Sequence, residues 1–284
     1  MAAHVAKLDC SAAYTELALS PLPQDRGLLV FMEQLRPYAH RAREAALEVL
    51  SPTRCVCCER PGSLVCDECL ARIVPIDPVF SCTRCGAPFG RLLCTECQAG
   101  LDETSSDGEE VLDVPGVCLA ACVFEGPPAT IVRAYKDAGE RRLGVWIAAA
   151  LCDAAEHAAV CAPERYASLL SADVIAFVPA TAEAFRRRGH DHMELVAREL
   201  SCRLGIPVLD CLVKLGAADQ RDVGRAGRFA QALDTYRVVE DVAGVHLLLV
   251  DDVMTTGATM GAASQVLAEA GASRIDRLAF ARVW

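Results

Sequence analysis

Residues 247–260 read Leu-Leu-Leu-Val-Asp-Asp-Val-Met-Thr-Thr-Gly-Ala-Thr-Met, and this stretch carries most of the structural and functional information in the chain. The apolar run 247–250 is typical of a strand that is buried on both faces of a parallel sheet. Asp251 and Asp252 follow at its carboxyl end, where open α/β sheets bind their ligands. A loop rich in hydroxyl groups comes next and opens a helix, so the stretch predicts the ligand-binding edge of an α/β sheet.

The loop after the two acids has the composition of a phosphate-binding turn. It consists of Thr255, Thr256, Gly257, Ala258 and Thr259. Backbone N–H groups at a helix N-terminus bind phosphate, and glycine permits the positive φ that such a turn needs. Carboxylates beside a phosphate cradle fit a ligand with adjacent sugar hydroxyls and a phosphate on the same ribose. The plainer alternative is a strand capped by aspartate before an ordinary helix.

Two other nucleotide-binding classes have less support. A P-loop hydrolase needs a glycine-rich loop that ends in Gly-Lys, and the chain contains no Gly-Lys pair. A dinucleotide-binding fold needs Gly-x-Gly-x-x-Gly after a strand, and that pattern is also absent from the sequence. The stretch instead resembles the 5-phosphoribosyl 1-pyrophosphate (PRPP) signature of type I phosphoribosyltransferases, which is a hydrophobic strand, Asp-Asp and then Thr-Thr-Gly-Ala-Thr.

That resemblance implies a role for each residue of the stretch. Asp251 and Asp252 would be the catalytic acids, which hold the ribose hydroxyls and favour positive charge on the ring. Val253 and the loop from Thr255 to Thr259 would bind PRPP, with the loop on its 5′-phosphate. Magnesium would accompany PRPP and neutralise the pyrophosphate.

Chain length and net charge limit the classes of protein to which the chain can belong. The 284 residues are enough for one substantial core plus a smaller module, and the net charge of −10 disfavours nucleic-acid binding by the whole surface. We expect no apolar stretch as long as the roughly 18 residues of a membrane helix, and therefore no membrane insertion. The N-terminus lacks a signal-peptide pattern, and we therefore expect a cytoplasmic protein.

Half of the sixteen cysteines form four Cys-x-x-Cys pairs. The pairs are Cys55 and Cys58, Cys66 and Cys69, Cys82 and Cys85, and Cys94 and Cys97. Two such turns make one tetrahedral zinc site, so four pairs predict two structural zinc sites. Pairing between neighbours is the simplest arrangement, although interleaved pairing and the use of Cys57 in place of Cys58 remain open. A redox role is disfavoured because the four copies occur without a thioredoxin-like strand and helix.

The remaining sequence divides into segments of different composition. We predict an N-terminal extension over 1–54 with one main helix, a double zinc ribbon over 55–100, an acidic linker over 101–116 and a phosphoribosyltransferase-like domain over 117–284. In the last segment the predicted strands lie near 117–124, 173–178, 206–209, 236–239, 246–250 and 275–282, and the predicted helices near 128–160, 191–204 and 258–270. This alternation predicts an α/β fold in which helices flank a parallel or mixed sheet.

The cysteine pairs ahead of a PRPP motif resemble the ComF family of phosphoribosyltransferase-like proteins, which are associated with DNA uptake. Three further blocks match this family in part. They are Tyr135-Lys136-Asp137-Ala138-Gly139, then Val178-Pro179-Ala180-Thr181 with Arg188-Gly189-His190-Asp191-His192, and finally Gln220, Arg228, Gln231 and Tyr236. The resemblance implies that Lys136, Pro179, Ala180, Arg188 and Arg228 contact PRPP. It leaves the acceptor, a nitrogen nucleophile, unspecified.

These blocks match the family pattern only in part. Because stabilising the leaving pyrophosphate depends on well-placed amides and cations, we expect the mismatches to affect catalysis more than ligand binding. The alternative function is therefore a non-catalytic adaptor in DNA uptake. In that case the zinc module would dock a helicase or single-stranded DNA.

Overall fold

The computed structural model describes residues 52–90, 92–98, 115–215 and 235–284. The predicted N-terminal helix, most of the acidic linker, and Gln220, Arg228 and Gln231 lie outside these residues. The chain divides into two compact units, 1–70 and 71–284. The predicted domain boundaries stay predictions.

The second unit contains the six described strands and six of the seven described α-helices. The strands are β1 (Cys118–Val123), β2 (Val174–Phe177), β3 (Leu212–Lys214), β4 (Tyr236–Val238), β5 (His246–Met254) and β6 (Arg274–Arg282). The α-helices are α1 (Asp67–Leu70), α2 (Pro127–Lys136), α3 (Leu143–Cys161), α4 (Pro163–Tyr166), α5 (Ala182–Arg188), α6 (His192–Leu204) and α7 (Ala258–Glu269), and short 3₁₀ helices span Pro78–Phe80 and Ala167–Leu170. Helix α1 belongs to the first unit.

Four parallel strands form the main sheet in the order β1-β6-β5-β2, and β3 and β4 form a separate antiparallel ribbon. This arrangement confirms the predicted α/β fold class. Alternate residues of β5 point to opposite faces of the sheet. Leu247 and Leu249 pack in one core with Val266 and Leu267 of α7. Helix α3 packs against β1 and β6, and helix α6 packs against β2 and β5.

Strand β5 is longer than its apolar run, because it continues through both acids to Met254. Strand β2 ends opposite Val250, and the Val178 N–H still donates to the Val250 carbonyl at 3.0 Å. Beyond that point β5 loses its neighbour on this side. Asp251 and Asp252 therefore lie where β2 leaves the sheet, which is the position of a ligand crevice in open α/β sheets.

Two predicted elements differ from the structure. The helix predicted near 128–160 is two helices, α2 and α3, because Gly139 takes a φ of +73°, a left-handed conformation that interrupts a helix. The strand predicted near 206–209 is a single parallel bridge between Val208 and Ile175. The regular strand of this region is β3, which begins three residues later.

Helix α3 also corrects the expectation that no apolar stretch is long enough to span a membrane. It has 19 residues and a mean hydropathy of 1.3, which meets that criterion by length and composition. Leu143, Ile147 and Leu151 on this helix are fully buried within the domain. A core helix of a folded domain passes the same test, so the helix is weak evidence for a membrane span.

Candidate active site at the carboxyl edge of the sheet

Two adjacent carboxylates are buried at the carboxyl end of β5. Asp251 is 8% exposed and Asp252 is 2% exposed, and Asp251 Oδ1 accepts a hydrogen bond from the Asp252 N–H at 2.8 Å. Because side chains alternate along a strand, the two carboxylates point to opposite faces of the sheet. Buried carboxylates are costly unless they are paired, so their surroundings indicate what each one does.

Asp252 is surrounded by donors from two helices. The Lys136 ammonium at the end of α2 lies 2.6 Å from Asp252 Oδ2, and His192 Nε2 at the start of α6 lies 2.9 Å from the same oxygen. Arg188 Nη1 lies 3.2 Å from His192 Nδ1. Since a guanidinium only donates, Nδ1 accepts and Nε2 carries the hydrogen that is donated to Asp252.

These contacts give the two acids different proton affinities. Burial raises the pKa of Asp251 well above its usual range, and the charge of Asp252 raises it further. Burial also acts to raise the pKa of Asp252, but the hydrogen bond from His192 and the charge of Lys136 outweigh burial and lower this pKa to about 2. The pair therefore takes its first proton on Asp251, while Asp252 keeps its negative charge.

Neighbouring side chains and backbone groups fix the histidine and the lysine in place. The Tyr135 hydroxyl donates to the His192 carbonyl at 2.5 Å, and Arg188 Nε donates to the Lys136 carbonyl at 2.9 Å. Asp191 caps α6 by accepting from the Met193 N–H at 2.8 Å, and its other oxygen accepts from the Ala180 N–H at 2.6 Å. The end of α2, the start of α6 and the loop after β2 are thus held against one another.

A cleft of about 240 Å³ opens beside the two acids. It is lined by Lys136, Val178, Pro179, Ala180, Thr181, Ala184, Arg188, His192, Lys214, Asp251, Asp252, Val253 and Thr259. The cleft thus contains eight of the residues that the sequence assigned to catalysis or PRPP binding. Their roles stay predictions, but the structure brings them together.

The rest of the predicted phosphate turn follows β5 directly. We call residues 255–259 the threonine loop. Thr255, Thr256, Ala258 and Thr259 are exposed, and Gly257 is partly exposed with a φ of +79°, which favours glycine. Helix α7 begins inside this loop at Ala258, so the loop occupies a helix N-terminus as the sequence predicted. The predicted contact Arg228 lies outside the described residues.

Sequence reasoning missed several residues of the cleft. His192 was considered for contacts with pyrophosphate or a nucleic-acid backbone and was set aside as a metal ligand, but its bond with Asp252, 60 positions away in the sequence, was not predicted. Thr181 caps α5 by accepting from the Ala184 N–H at 3.1 Å, and a Thr before a helical segment is a recognisable capping signal. Lys214 reaches the cleft from β3, and no spacing in the sequence pointed to it.

The eight paired cysteines form two clusters, each within one unit. Cys55, Cys58, Cys66 and Cys69 form one cluster, and Cys82, Cys85, Cys94 and Cys97 form the other, with the Sγ atoms of each cluster within 4.8 Å of one another. A tetrahedral zinc ion with bonds of about 2.3 Å needs sulfurs roughly 3.8 Å apart. Both clusters fit such an ion, and each joins neighbouring pairs. Cys57 lies outside both sets.

Comparisons with known proteins agree with this architecture. Residues 193–282 match the phosphoribosyl transferase domain family. Over 233 residues the chain is 25% identical to the DNA utilization protein YhgH of Salmonella typhi, an alignment that covers 79% of this chain and 95% of that protein.

Two solved structures also match part of the chain. One is described as the allosteric regulatory enzyme of purine biosynthesis, with 21% identity and a TM-score of 0.29. The other is the glutamine PRPP amidotransferase from B. subtilis with ADP and GMP, with 22% identity and a TM-score of 0.28. Each match covers 39% of this chain and only 23% or 24% of the solved chain. The phosphoribosyl transferase domain and the similarity to YhgH over most of the chain support the resemblance to ComF-like phosphoribosyltransferases.

Proposed function

We propose that this protein binds PRPP with magnesium in the cleft at the carboxyl edge of the sheet. The observation that carries the proposal is the pair of adjacent buried acids, Asp251 and Asp252, in one cleft with cationic side chains and beside the threonine loop. Ribose hydroxyls need acceptors, and phosphates need N–H groups and cations. The cleft and the threonine loop offer acceptors as well as N–H groups and cations, close enough together for one ligand.

Each part of PRPP has a matching part of the site. The ribose hydroxyls would meet Asp252, which accepts hydrogen bonds, and Asp251, which takes the first proton of the pair. The threonine loop would hold the 5′-phosphate at the N-terminus of α7. Lys136 and Arg188, beside the loop 178–181, would face the pyrophosphate, and magnesium when bound would neutralise part of its charge.

The same arrangement would support transfer of the phosphoribosyl group. The transition state of that reaction has positive charge on the ribose ring, which the Asp252 carboxylate would stabilise in a site of low dielectric. Leaving pyrophosphate would develop negative charge next to Lys136 and Arg188. The nucleophile would be a nitrogen of an acceptor.

Calorimetric titration with PRPP and magnesium tests this proposal. The parent should bind, and the double variant Asp251→Asn/Asp252→Asn should not, because it lacks both carboxylate charges. The matched control is Asp173→Asn/Asp241→Asn, which removes two charges from exposed residues that accept backbone N–H bonds at 2.9 and 3.1 Å outside the cleft. No binding by folded, zinc-loaded parent protein would overturn the proposal.

A second candidate function is an adaptor in DNA uptake that acts in the cytoplasm. It is favoured by the similarity to the DNA utilization protein, which extends over 79% of this chain. Its partner would be a helicase or single-stranded DNA, docked on the zinc module or on the arginines of α5. In this candidate PRPP binding serves as a sensor or scaffold rather than for catalysis.

The arginines of α5 can be tested separately from the cleft. Arg186 and Arg187 are exposed, whereas the Arg188 side chain is 12% exposed and contacts the Lys136 carbonyl and His192. Arg186→Gln/Arg187→Gln should therefore leave PRPP binding unchanged. Fluorescence anisotropy with a labelled single strand, measured across salt concentrations, gives the number of phosphate contacts that are lost. An unchanged salt slope excludes these two arginines as a DNA contact.

A further inference from the structure

The second cysteine cluster is built into the sheet domain. We call residues 81–98 the second ribbon. The Cys118 N–H at the start of β1 donates to the Thr83 carbonyl at 2.7 Å, and the buried hydroxyls of Ser81 and Tyr166 lie 2.7 Å apart. The backbone approach is also close, because a Cβ on Gly86 would lie 3.4 Å from the Ala120 nitrogen and the Met254 side chain. The ribbon backbone thus packs directly on β1 and on the end of β5.

Arg282, the last residue of β6, lies between this ribbon and the threonine loop. It is 6% exposed and pairs in register with Met254, the last residue of β5. Its Nε donates to the carbonyl of Cys85, a cluster cysteine, at 3.1 Å. Its Nη1 contacts the carbonyls of Met254 and Val283 at 3.3 and 2.5 Å, and also that of Thr255, the first residue of the threonine loop.

These contacts use the geometry of a guanidinium. Its five N–H donors lie in one plane and point in several directions, so one side chain can bond several carbonyls, whereas a lysine ammonium is a single point of charge. Three segments meet at this group: the Cys85 turn, the end of β5 with the threonine loop, and the residue after β6. A shift of the Cys85 turn would therefore be transmitted to the Thr255 carbonyl through one rigid group.

The side chains of the threonine loop contribute little to holding its backbone in place. Thr255, Thr256 and Ala258 are exposed, so little packing of their own side chains holds them. A loop that binds phosphate by backbone N–H groups must hold them within about 0.5 Å of their productive positions. The Arg282 contact with the Thr255 carbonyl fixes the first residue of that loop.

We propose that Arg282 is a positioning residue that couples the metal site of Cys82, Cys85, Cys94 and Cys97 to the threonine loop. A metal ion bound by this cluster would hold the Cys85 turn, the turn orients Arg282, and Arg282 orients the loop for ligand binding. The inference rests on the proposed binding of PRPP, since it concerns the loop that would hold the 5′-phosphate. It assigns to the second ribbon a role in ligand affinity beyond its own folding.

The first test is Arg282→Lys in the full-length, zinc-loaded chain. The matched control is Arg274→Lys, which changes the same residue type at the other end of β6, where Arg274 bonds Asp276 and Ser168. We expect Arg282→Lys to keep two zinc ions per chain, to weaken binding of ribose 5-phosphate with magnesium about tenfold, and to leave pyrophosphate affinity within about twofold. The control should leave both affinities unchanged. Unchanged ribose 5-phosphate affinity in Arg282→Lys, or an equal loss for both ligands, overturns the proposal.

A second measurement needs no ligand. Amide exchange of residues 253–261 reports on the loop and on the Gly261 N–H, which donates to the Gly257 carbonyl at 2.7 Å. Arg282→Lys should speed exchange there about tenfold while residues 247–250 of β5 stay protected. If exchange rises equally in both segments, the effect is general destabilisation and the coupling is wrong. If the parent binds no phosphate ligand, the proposed function fails, and this measurement alone decides the coupling.

A third pair of variants covers the case in which Arg282→Lys does not fold. Cys97→Ser removes one ligand from the second cluster without changing the Cys85 turn itself, and Cys69→Ser does the same to the first cluster. Each should lose one zinc ion. Only Cys97→Ser should speed exchange over 253–261, and equal exchange in the two variants overturns the coupling.

Discussion

Two buried acidic sites lie at opposite ends of the central strands, and they differ in how fully their charges are paired. Asp276 lies near the amino end of β6 and Asp252 near the carboxyl end of β5. Each accepts a hydrogen bond from a histidine Nε2 at 2.9 Å, His246 in the first site and His192 in the second. Each also has a cation beside it, Arg274 and Lys136 respectively.

We call the site around Asp276 the amino-edge site, and in it one acid accepts hydrogen bonds from several donors. Asp276 is fully buried and accepts from Arg274 Nε at 3.0 and 3.1 Å and from the Val117 N–H at 2.9 Å. The carboxyl-edge site instead has a second carboxylate, Asp251, beside Asp252 and a cleft next to both. An acid that its neighbours satisfy is structural, whereas a surplus buried acid costs stability and is retained where a ligand needs it.

The largest effect on stability is expected from Asp276→Asn. The amide has no charge, so Arg274 and His246 lose their buried partner, and we expect the free energy of unfolding to fall by about 3 kcal/mol. Burial alone would raise the pKa of Asp276, but Arg274, Ser168, the Val117 N–H and His246 lower it. The deficit of the variant should therefore be full above about pH 4 and shrink as the pH falls through the lowered pKa.

Urea unfolding of the parent and of Asp276→Asn across pH checks this expectation. Asp173→Asn is the control, because Asp173 is exposed at the same edge and accepts only the His246 N–H at 2.9 Å among the bonds described for it. It should lose less than about 1 kcal/mol. PRPP affinity should be unchanged in both variants. A stable Asp276→Asn protein with weakened PRPP binding would reverse the roles of the two edges.

A smaller loss is expected from Asp252→Asn at the carboxyl edge. With the pKa of Asp252 lowered to about 2, its pairing with His192 and Lys136 contributes about 2 kcal/mol at neutral pH. Because the folded pKa is depressed, this stability is present above about pH 4 and is lost as the pH falls toward 2. Unlike Asp276→Asn, this variant should also lose PRPP binding.

Unfolding measured at pH 7 and at pH 2.5 tests this difference. The gap between the parent and Asp252→Asn should shrink to about one third at the lower pH, which is still slightly above the folded pKa of about 2. Lys136→Met is a useful partner variant, since it removes the ammonium 2.6 Å away and leaves the His192 bond intact. It should lose only part of the 2 kcal/mol expected for Asp252→Asn. A gap that persists unchanged at pH 2.5 would show that packing, not charge, stabilises Asp252.

Local patterns in the sequence predicted the strand, the loop and the fold that form this site, but not the distant residues that contact them. The apolar run before Asp251, the threonine-rich loop after it and the alternation of strands and helices are all properties of neighbouring residues, and the α/β fold followed from them. The four Cys-x-x-Cys pairs likewise predicted two four-cysteine clusters. Gly139 is also a local signal, but the helix near 128–160 was predicted without a break there.

Contacts between distant segments could not be obtained in this way. His192 reaches Asp252 across 60 positions, and Arg282 reaches the Cys85 carbonyl across 197. Such contacts depend on the order of strands in the sheet and on the register of β5 with β6. A single sequence gives no periodic signal for either, so the contacts of the second ribbon with the sheet were not predicted.

The smallest effect is expected from Asp251→Asn, and it has the opposite sign. The folded pKa of Asp251 is raised by burial and by the charge of Asp252, so the parent loses stability as the pH rises from about 4 through that pKa. An asparagine does not ionise and avoids this loss. The variant should therefore be more stable than the parent at neutral pH, by about 1 kcal/mol, and equal to it near pH 4.

Stability and ligand affinity should move in opposite directions in this variant. PRPP binding should weaken even though the fold is stabilised, because the amide cannot act as the second acid toward the ribose. Parallel urea unfolding and calorimetric titration of Asp251→Asn, with Asp241→Asn as an exposed control, measure both quantities. If Asp251→Asn destabilises the protein at pH 7 as Asp276→Asn does, both acids are structural and the surplus charge at the carboxyl edge has no cost. If the variant is more stable than the parent and still binds PRPP as the parent does, ionised Asp251 destabilises the fold but is needed for a ligand other than PRPP.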